Sequence, residues 1–359
     1  MATCIITENQ LNFIKVKLGK DALSKSKRYV VLCLLILLNV TLQAQDTLMV
    51  KGNVDLYYGF NIQNTNSQDL GIYVSSNTLH QLDINYAAVE ITKNYKDNTF
   101  YLSPAFGRYM TNNYRNEIWA LRWLAEAFWQ RNLSKNQQLT VGVFSSPFSP
   151  ENWKSNEQLF YSRALAPEYV PYYLAGMKWK INCTPWLTFT PMLVNGWQHI
   201  SDRIPSPAWS SLTELKWKNC SLNWTSFLGK EEGLTNQLEW RVFNDLNGSV
   251  KINDKFIVQS CVYMGQHRGI NKWRTWWQLN SGVKVKLNEL SAIGLRGEIF
   301  SDSEGVFFDG ISSRFSAVTG GWDVKISQNL VARLEVKRLR NRQLENANWF
   351  GFLNLSLAF

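Results

Sequence analysis

From Gln45 to the last residue, apolar and polar side chains alternate with a period of two. No stretch in that span holds the ~18 consecutive apolar residues that a membrane-spanning helix needs. Period two puts successive side chains on opposite faces of an extended chain. Val50, Gly52, Val54, Leu56, Tyr58, Phe60 and Ile62 form one face, and Lys51, Asn53, Asp55, Tyr57, Asn61 and Gln63 the other. At 273–287, Trp273, Thr275, Trp277, Leu279, Val283, Val285 and Leu287 oppose Arg274, Gln278, Asn280, Lys284 and Lys286. At 347–359, Trp349, Leu353, Leu355, Leu357 and Phe359 oppose Asn348, Asn354 and Ser356. Weaker alternation at 79–92, 98–110, 117–131, 137–146, 172–183, 187–198, 209–218, 220–229, 237–246, 255–266, 290–300, 314–326 and 329–340 brings the total to 16 candidate strands. Parity is ambiguous at 98–110, and Trp119, Leu121 and Trp123 must face outward if Arg122 faces in.

Connector lengths give an independent reading. Short ones (93–97, 132–136, 184–186, 288–289, 327–328) tend to alternate with long ones (64–78, 147–171, 199–208, 301–313). Bacterial outer-membrane barrels have short periplasmic turns and long external loops, and an even strand count leaves both termini periplasmic. Only helices and closed barrels satisfy every backbone group inside lipid. The expected fold is therefore all-β: a transmembrane antiparallel up-and-down barrel of about 16 strands. Aromatics at expected strand ends (Tyr57, Tyr58, Trp186, Trp197, Trp217, Trp273, Trp349, Phe350) suit interfacial girdles.

The amino-terminal 44 residues read as an address. Lys25-Ser26-Lys27-Arg28 precedes the 12-residue apolar run Tyr29–Val40, too short to span, and Leu42-Gln43-Ala44 offers a small residue before Gln45. This is the layout of a cleaved secretory signal, so 1–44 is expected to be leader and 45–359 barrel. The polar lead 1–24, with Glu8 and Asp21, is unusual for a signal and suggests an over-extended start. Of 38 basic and 28 acidic residues, six and two lie in 1–28, leaving 32 and 26 and a net charge of +6. Those charges are spread rather than clustered, which argues against a nucleic-acid partner. Cys183, Cys220 and Cys261 are odd in number and widely spaced, with no metal spacing, and free thiols are expected.

Several segments resemble the OmpL-like β-barrel porin family found in Bacteroidetes-type bacteria. Gly142-Val143-Phe144, Pro147-Phe148 and Glu151 match a strand running into a long loop, in which Ser162-Arg163 also fits. Val194-Asn195-Gly196-Trp197 matches a later strand end, and Glu126-Ala127-Phe128 an earlier strand. Arg296-Gly297-Glu298-Ile299-Phe300-Ser301-Asp302 and Arg333-Leu334-Glu335-Val336-Lys337 match two more, with Ile299 and Val336 where the family usually has an aromatic. The resemblance implies a porin-like barrel in the outer membrane of a Gram-negative bacterium. It also implies that Trp349, Leu353, Leu355, Leu357 and Phe359 form the C-terminal signal read by the barrel-insertion machinery.

Strand parity turns Arg122, Glu126, Glu239, Arg241, Arg274, Lys284, Arg296, Glu298, Asp323, Lys325, Arg333, Glu335 and Lys337 inward. Facing lipid, each Arg or Lys would cost about 2–4 kcal/mol at the midplane, so these are the pore-lining candidates. They would either select solutes or brace the wall as ion pairs. The segment 147–171 is the third long connector. By analogy with general porins it is expected to fold inward, bringing Glu151, Lys154, Glu157, Arg163 and Glu168 into a constriction, its acids opposite Arg122, Arg296 and Arg333. His80, His199 and His267 sit at strand ends, no nucleophile–base set converges, and no cofactor or metal site is legible, so an enzyme is not expected. Three functions stay open: diffusion of small hydrophilic solutes through a water-filled lumen, a solute-specific channel, and a plugged barrel serving surface-polysaccharide organisation, adhesion or scaffolding. A homo-oligomer is compatible with the outward face, because lipid and a second subunit both ask for apolar surface.

Overall fold

The computed structural model describes residues 47–63, 68–201, 206–233, 237–269, 272–307, 311–341 and 346–359. The expected leader, with Cys4 and Cys33, lies outside them. The strands are β1 Leu48–Asn61, β2 Leu82–Tyr95, β3 Asn98–Phe106, β4 Leu124–Ser134, β5 Gln137–Ser145, β6 Tyr173–Asn182, β7 Leu187–Val194 and β8 Ala208–Lys216. They continue as β9 Cys220–Glu232, β10 Leu238–Lys251, β11 Phe256–Arg268, β12 Trp273–Lys286, β13 Ser291–Asp302, β14 Ser313–Lys325, β15 Leu330–Asn341 and β16 Asn346–Ala358. Each strand pairs with its sequence neighbours, and β1 pairs with β16, so one 16-stranded sheet closes into a barrel. Closure leaves no strand edge in lipid.

The closing seam uses two glycines. Gly52 and the terminal Phe359 exchange backbone hydrogen bonds of 2.7 and 2.9 Å. The Phe359 ring covers Gly52, and the Phe60 ring covers Gly351, its direct partner across the seam; a Cβ at either glycine would fall 2.1 Å from the ring. Each ring fills the gap that a glycine leaves on a pleated face. Along β16, Leu353, Leu355 and Leu357 point outward while Phe350, Phe352, Asn354 and Ser356 are buried on the other face.

Most expected strands hold to within a few residues, and three differ for local reasons. The segment 98–110 is a strand only to Phe106. Its register slips at Ser103/Pro104, where proline removes a ladder donor. Gly107 then turns the chain at φ 121°, where a Cβ would meet the Asn85 carbonyl oxygen at 2.6 Å, and helix α1 (Arg108–Asn113) follows. At 117–131 the strand begins only at Leu124, because 119–121 is a turn of 3₁₀ helix. The strand expected at 237–246 runs on to Lys251. Short turns (96–97, 135–136, 183–186, 217–219, 252–255, 287–290, 326–329) all lie at the end of the barrel where β1 starts and β16 finishes. The other end carries the described connectors 107–123 and 146–172 and the described parts of those after β1, β7, β9, β11 and β13.

Candidate functional site

The lumen wall of β13–β15 is built so that long charged side chains reach across a strand. On β14 the inward residues opposite Glu298, Arg296 and Gly294 are Ala317, Thr319 and Gly321. Across β14, the next inward residues are Leu339, Lys337 and Glu335. The small β14 residues leave the space above them free. Lys337 Nζ spans it to reach Glu298 at 2.5 Å, and Arg296 lies 3.9 Å from the same carboxylate. Lower on the wall, Asp323 binds Lys284 at 2.5 Å and Arg333 at 3.5 Å.

The connector 146–172 runs into the barrel and crosses to this wall. Its backbone supplies most of the anchors. The N–H of Tyr161 (2.8 Å) and of Ser162 (3.0 Å) donate to Glu335, as does the Ser162 hydroxyl. Leu165 N–H donates to Glu298 at 2.8 Å, Ala166 N–H to Gln278 at 2.6 Å, and Ser149 N–H to Asp245 at 2.6 Å. In return, Lys337 donates to the Arg163 carbonyl at 3.0 Å, and Arg333 to the carbonyls of Ser155 and Gln158. Glu151 takes the Ala164 N–H at 2.6 Å and pairs with Arg296 at 3.1 Å. Apart from two 3₁₀ turns, Ser155–Glu157 and Ala166–Glu168, the buried connector would strand its amides; wall carboxylates and Gln278 satisfy those of Ser149, Tyr161, Ser162, Leu165 and Ala166.

Phe160 fixes the register of this crossing. Gly282, Gly294 and Gly321 face the lumen on three adjacent strands and make a socket for its ring. Cβ atoms at these glycines would stand 2.6, 2.8 and 3.8 Å from the ring. The Arg296 guanidinium lies 4.9 Å from the ring centroid. Beside it, Tyr161 packs on Tyr57 and Phe352 and shares a 2.7 Å hydrogen bond with Ser76.

The far end of the crossing is held by the other connectors. Arg163 donates to the Asn152 carbonyl and the Ser75 hydroxyl, pairs with Glu168 at 3.7 Å, and stacks 4.5 Å from the Tyr172 ring centroid. Glu168 accepts the N–H groups of Val74 and Ser75, both at 2.8 Å. Burial pushes its carboxyl above the ordinary range, against the pull of Arg163 and these N–H groups. Toward the long-connector end the interior is filled by rings: Phe144, Phe148, Trp197, Phe227, Phe243, Trp276, Phe300, Phe307 and Phe315.

The structure sorts the sequence candidates. Arg296, Glu298, Arg333, Glu335 and Lys337 come together at the crossing. Glu239 pairs with Arg274 at 2.5 Å, Arg241 lies over the Trp197 ring at 4.9 Å, and Glu126 accepts the Ser145 N–H at 2.5 Å. Arg122 is not on a strand: it ends the 3₁₀ turn and donates to the Glu117 carbonyl at 2.9 Å. Of the three basic residues expected to face the connector's acids, only Arg296 does so; Arg333 takes carbonyls instead. Lys154 pairs with Glu90 at 2.6 Å, and the Glu157 side chain is 54% exposed. The expected girdle also divides. Trp186, Trp217, Trp273 and Trp349 are outside, but Tyr57 and Phe350 are buried in the interior, and Trp197 packs there. Cys183, Cys220 and Cys261 are free, Cys261 being buried on β11. Sequence reading missed Asp245, Gln278 and the three-glycine socket. Gln278 and the glycines already lay at inward parity; what was missing was any sign that a connector would meet them.

The profile of the beta-barrel porin-2, OmpL-like family matches residues 47–354. The chain belongs to this family. It is an outer-membrane β-barrel porin, and barrel and family together describe a channel rather than an enzyme scaffold. No curated protein sequence matches it. Solved porins share the fold at low identity. The anion-selective porin from Comamonas acidovorans superposes with a TM-score of 0.63 at 9% identity, over 88% of this chain and 100% of that one. The outer-membrane channel DcaP of Acinetobacter baumannii gives 0.62 at 9%, over 88% and 99%. OmpT of Vibrio cholerae in its trimer form gives 0.55 at 8%, over 88% and 100%.

Open hollows lie at both ends of this porin's barrel, and a small cavity lies beside the crossing. A cavity of about 360 Å³ lies among Gly71, Tyr73, Asn77, Asn112, Arg115 and Tyr169 at the long-connector end. Another, of about 520 Å³, lies at the short-turn end beside Asp97, Gln138 and Lys180. The cavity between Tyr73, Trp153, Gln158, Tyr161 and Arg163 has only about 10 Å³, close to the least a single water needs.

Proposed function

We propose that this porin is a narrow diffusion channel for small hydrophilic solutes, with the 146–172 connector as its constriction. The observation that carries this reading is the connector's crossing, tied by backbone N–H groups to Glu335, Glu298 and Asp245 on the far side of the barrel. With Arg296, Glu298, Arg333, Glu335 and Lys337 engaged in that crossing, the inward polar groups left to meet solutes include Lys178 and Lys180 on β6, Glu214 on β8 and the Lys284–Asp323 pair. In this reading residues 1–44 are a cleaved leader and both termini are periplasmic in a Gram-negative cell. The short-turn end then faces the periplasm, and Trp349, Leu353, Leu355, Leu357 and Phe359 serve the insertion machinery. The trimer form of the Vibrio cholerae neighbour supports a homo-oligomer built on the apolar outer face.

Purified protein in planar bilayers tests the channel. Ohmic single-channel steps are expected, larger after deletion of 152–165; steps unchanged by the deletion would refute the constriction. A second reading, a plugged barrel acting in surface organisation, is favoured by the ring-filled interior. Bilayers that stay silent with the wild type and conduct only after the deletion would establish it.

A further inference from the structure

The outward face of β14–β15 carries a charge pattern that the hydrocarbon of a bilayer cannot accommodate. From the short-turn end, β15 presents Leu330, Ala332, Leu334 and Val336 outward, then Arg338 and Arg340; β14 presents Val324, Trp322, Gly320 and Val318, then Ser316 and Arg314. All three arginines are exposed. Among the described residues none of them has an ion-pair partner, and Arg338 has only the Trp349 ring, 5.8 Å away. Elsewhere on this rim Lys230 and Arg268 flank Trp240 across β10, with Lys230 over its ring, so these two cations are held apart by an indole.

The register makes these arginines into a shelf. Arg340 sits between Ser316 and Ala347, Arg338 between Val318 and Trp349, and Arg314 beside Ser301. Ser301, Ser316 and Ala347 are short, so among the described residues of the neighbouring strands none reaches over the guanidinium groups of Arg314 and Arg340. Immediately below lie the apolar Val318, Val336, Trp349 and Leu353. A cationic shelf above an apolar wall fits an amphiphile with an anionic head. Guanidinium matches phosphate through paired N–H donors, and an unpaired arginine facing outward is comfortable only at headgroup depth.

We propose that Arg314, Arg338 and Arg340 bind the phosphate headgroup of an anionic lipid in the leaflet at the long-connector end, its chains lying along Val318, Val336 and Leu353. The site stands whether or not the lumen conducts.

Native mass spectrometry of the full-length barrel tests it, after incubation with equal amounts of phosphatidylglycerol and phosphatidylcholine. Wild type should retain phosphatidylglycerol preferentially and lose it as salt rises. The R314Q/R338Q/R340Q variant should bind it on the order of a hundred-fold more weakly, from about five-fold per arginine near a charged surface. A heat-modifiable band on SDS gels checks that the variant has folded; if it has not, R314Q and R340Q singly should each show the five-fold loss. Equal retention of both lipids by wild type, or equal phosphatidylglycerol retention by wild type and the folded variants, overturns the proposal. So does full displacement by inorganic phosphate alone, which would mark a phosphate site. A change of oligomeric state with lipid retention intact also overturns it, marking a subunit contact.

Discussion

Replacing Phe160 by alanine should loosen the crossing without unfolding the barrel. The ring is 5% exposed and seated against three glycines. Truncating a buried phenylalanine costs about 3–5 kcal/mol. The wall cannot collapse to recover this, because Gly282, Gly294 and Gly321 have no side chains to move and their strands are locked in the closed sheet. The loss of the Arg296 contact adds about 0.5–2 kcal/mol. The backbone anchors to Glu335, Glu298 and Gln278 remain, so the connector stays docked on average but opens more often.

Hydrogen exchange reads this opening directly. The amides of Tyr161, Ser162, Leu165 and Ala166 all donate to buried wall groups, so they exchange only when the connector lifts. A combined loss of about 3.5–7 kcal/mol should speed their exchange by roughly two and a half to five orders of magnitude, while amides of β9–β11 keep their protection. Gly294→Ala should act in the same direction from the other side, since its Cβ would stand 2.8 Å from the Phe160 ring. Exchange at these amides within about ten-fold of wild type in both variants would refute the socket as the element that fixes the crossing.

Other perturbations follow from the same contacts. Lys337→Met leaves Glu298 buried without its 2.5 Å partner and should lower stability by about 3–5 kcal/mol; a denaturant titration should show the K337M/E298Q double variant losing clearly less. Phe359→Ala uncovers Gly52 at the seam, so the unfolding temperature should fall, with Phe359→Trp restoring it. Glu168 gives a pH dependence. Burial raises its carboxyl, so the docked connector holds this proton more readily than an exposed Glu with its ordinary value of 4.5. The Glu168 contribution to docking is thus fullest below 4.5 and fades as pH rises through the raised value. The wild-type exchange rate of the 161–166 amides, divided by that of Glu168→Gln, should rise over that window; a flat ratio would contradict the assignment.

The barrel was legible because closure in lipid imposes one rule everywhere: an outward side chain is apolar, and period two follows. Where the rule relaxes, reading failed. At Pro104 and Gly107 the strand stops, and Arg122 was placed on a wall it never joins, because the spacing of Trp119, Leu121 and Trp123 mimics a strand in what is a 3₁₀ turn. The tryptophans show the same limit. Trp186 and Trp349 sit in the girdle while Trp197 fills the interior, and residue type alone does not separate them.

The crossing was legible only as a length. That 147–171 would enter the barrel rested on its position as the third long connector, and the partners it would meet did not follow from that. Inward charges such as Glu335 and Lys337 read equally well as a solute filter or as ion pairs. Arg296, Glu298, Arg333, Glu335 and Lys337 bind the connector's backbone, which carries no sequence signature because every residue but proline supplies the same N–H. The glycines carried the missing information. Gly282, Gly294 and Gly321 lie on neighbouring strands at inward parity, where a wall facing only water has no need of hollows. Three adjacent hollows require a guest, and among the described residues the large apolar side chain seated against them is Phe160, on a connector anchored on both sides of that ring.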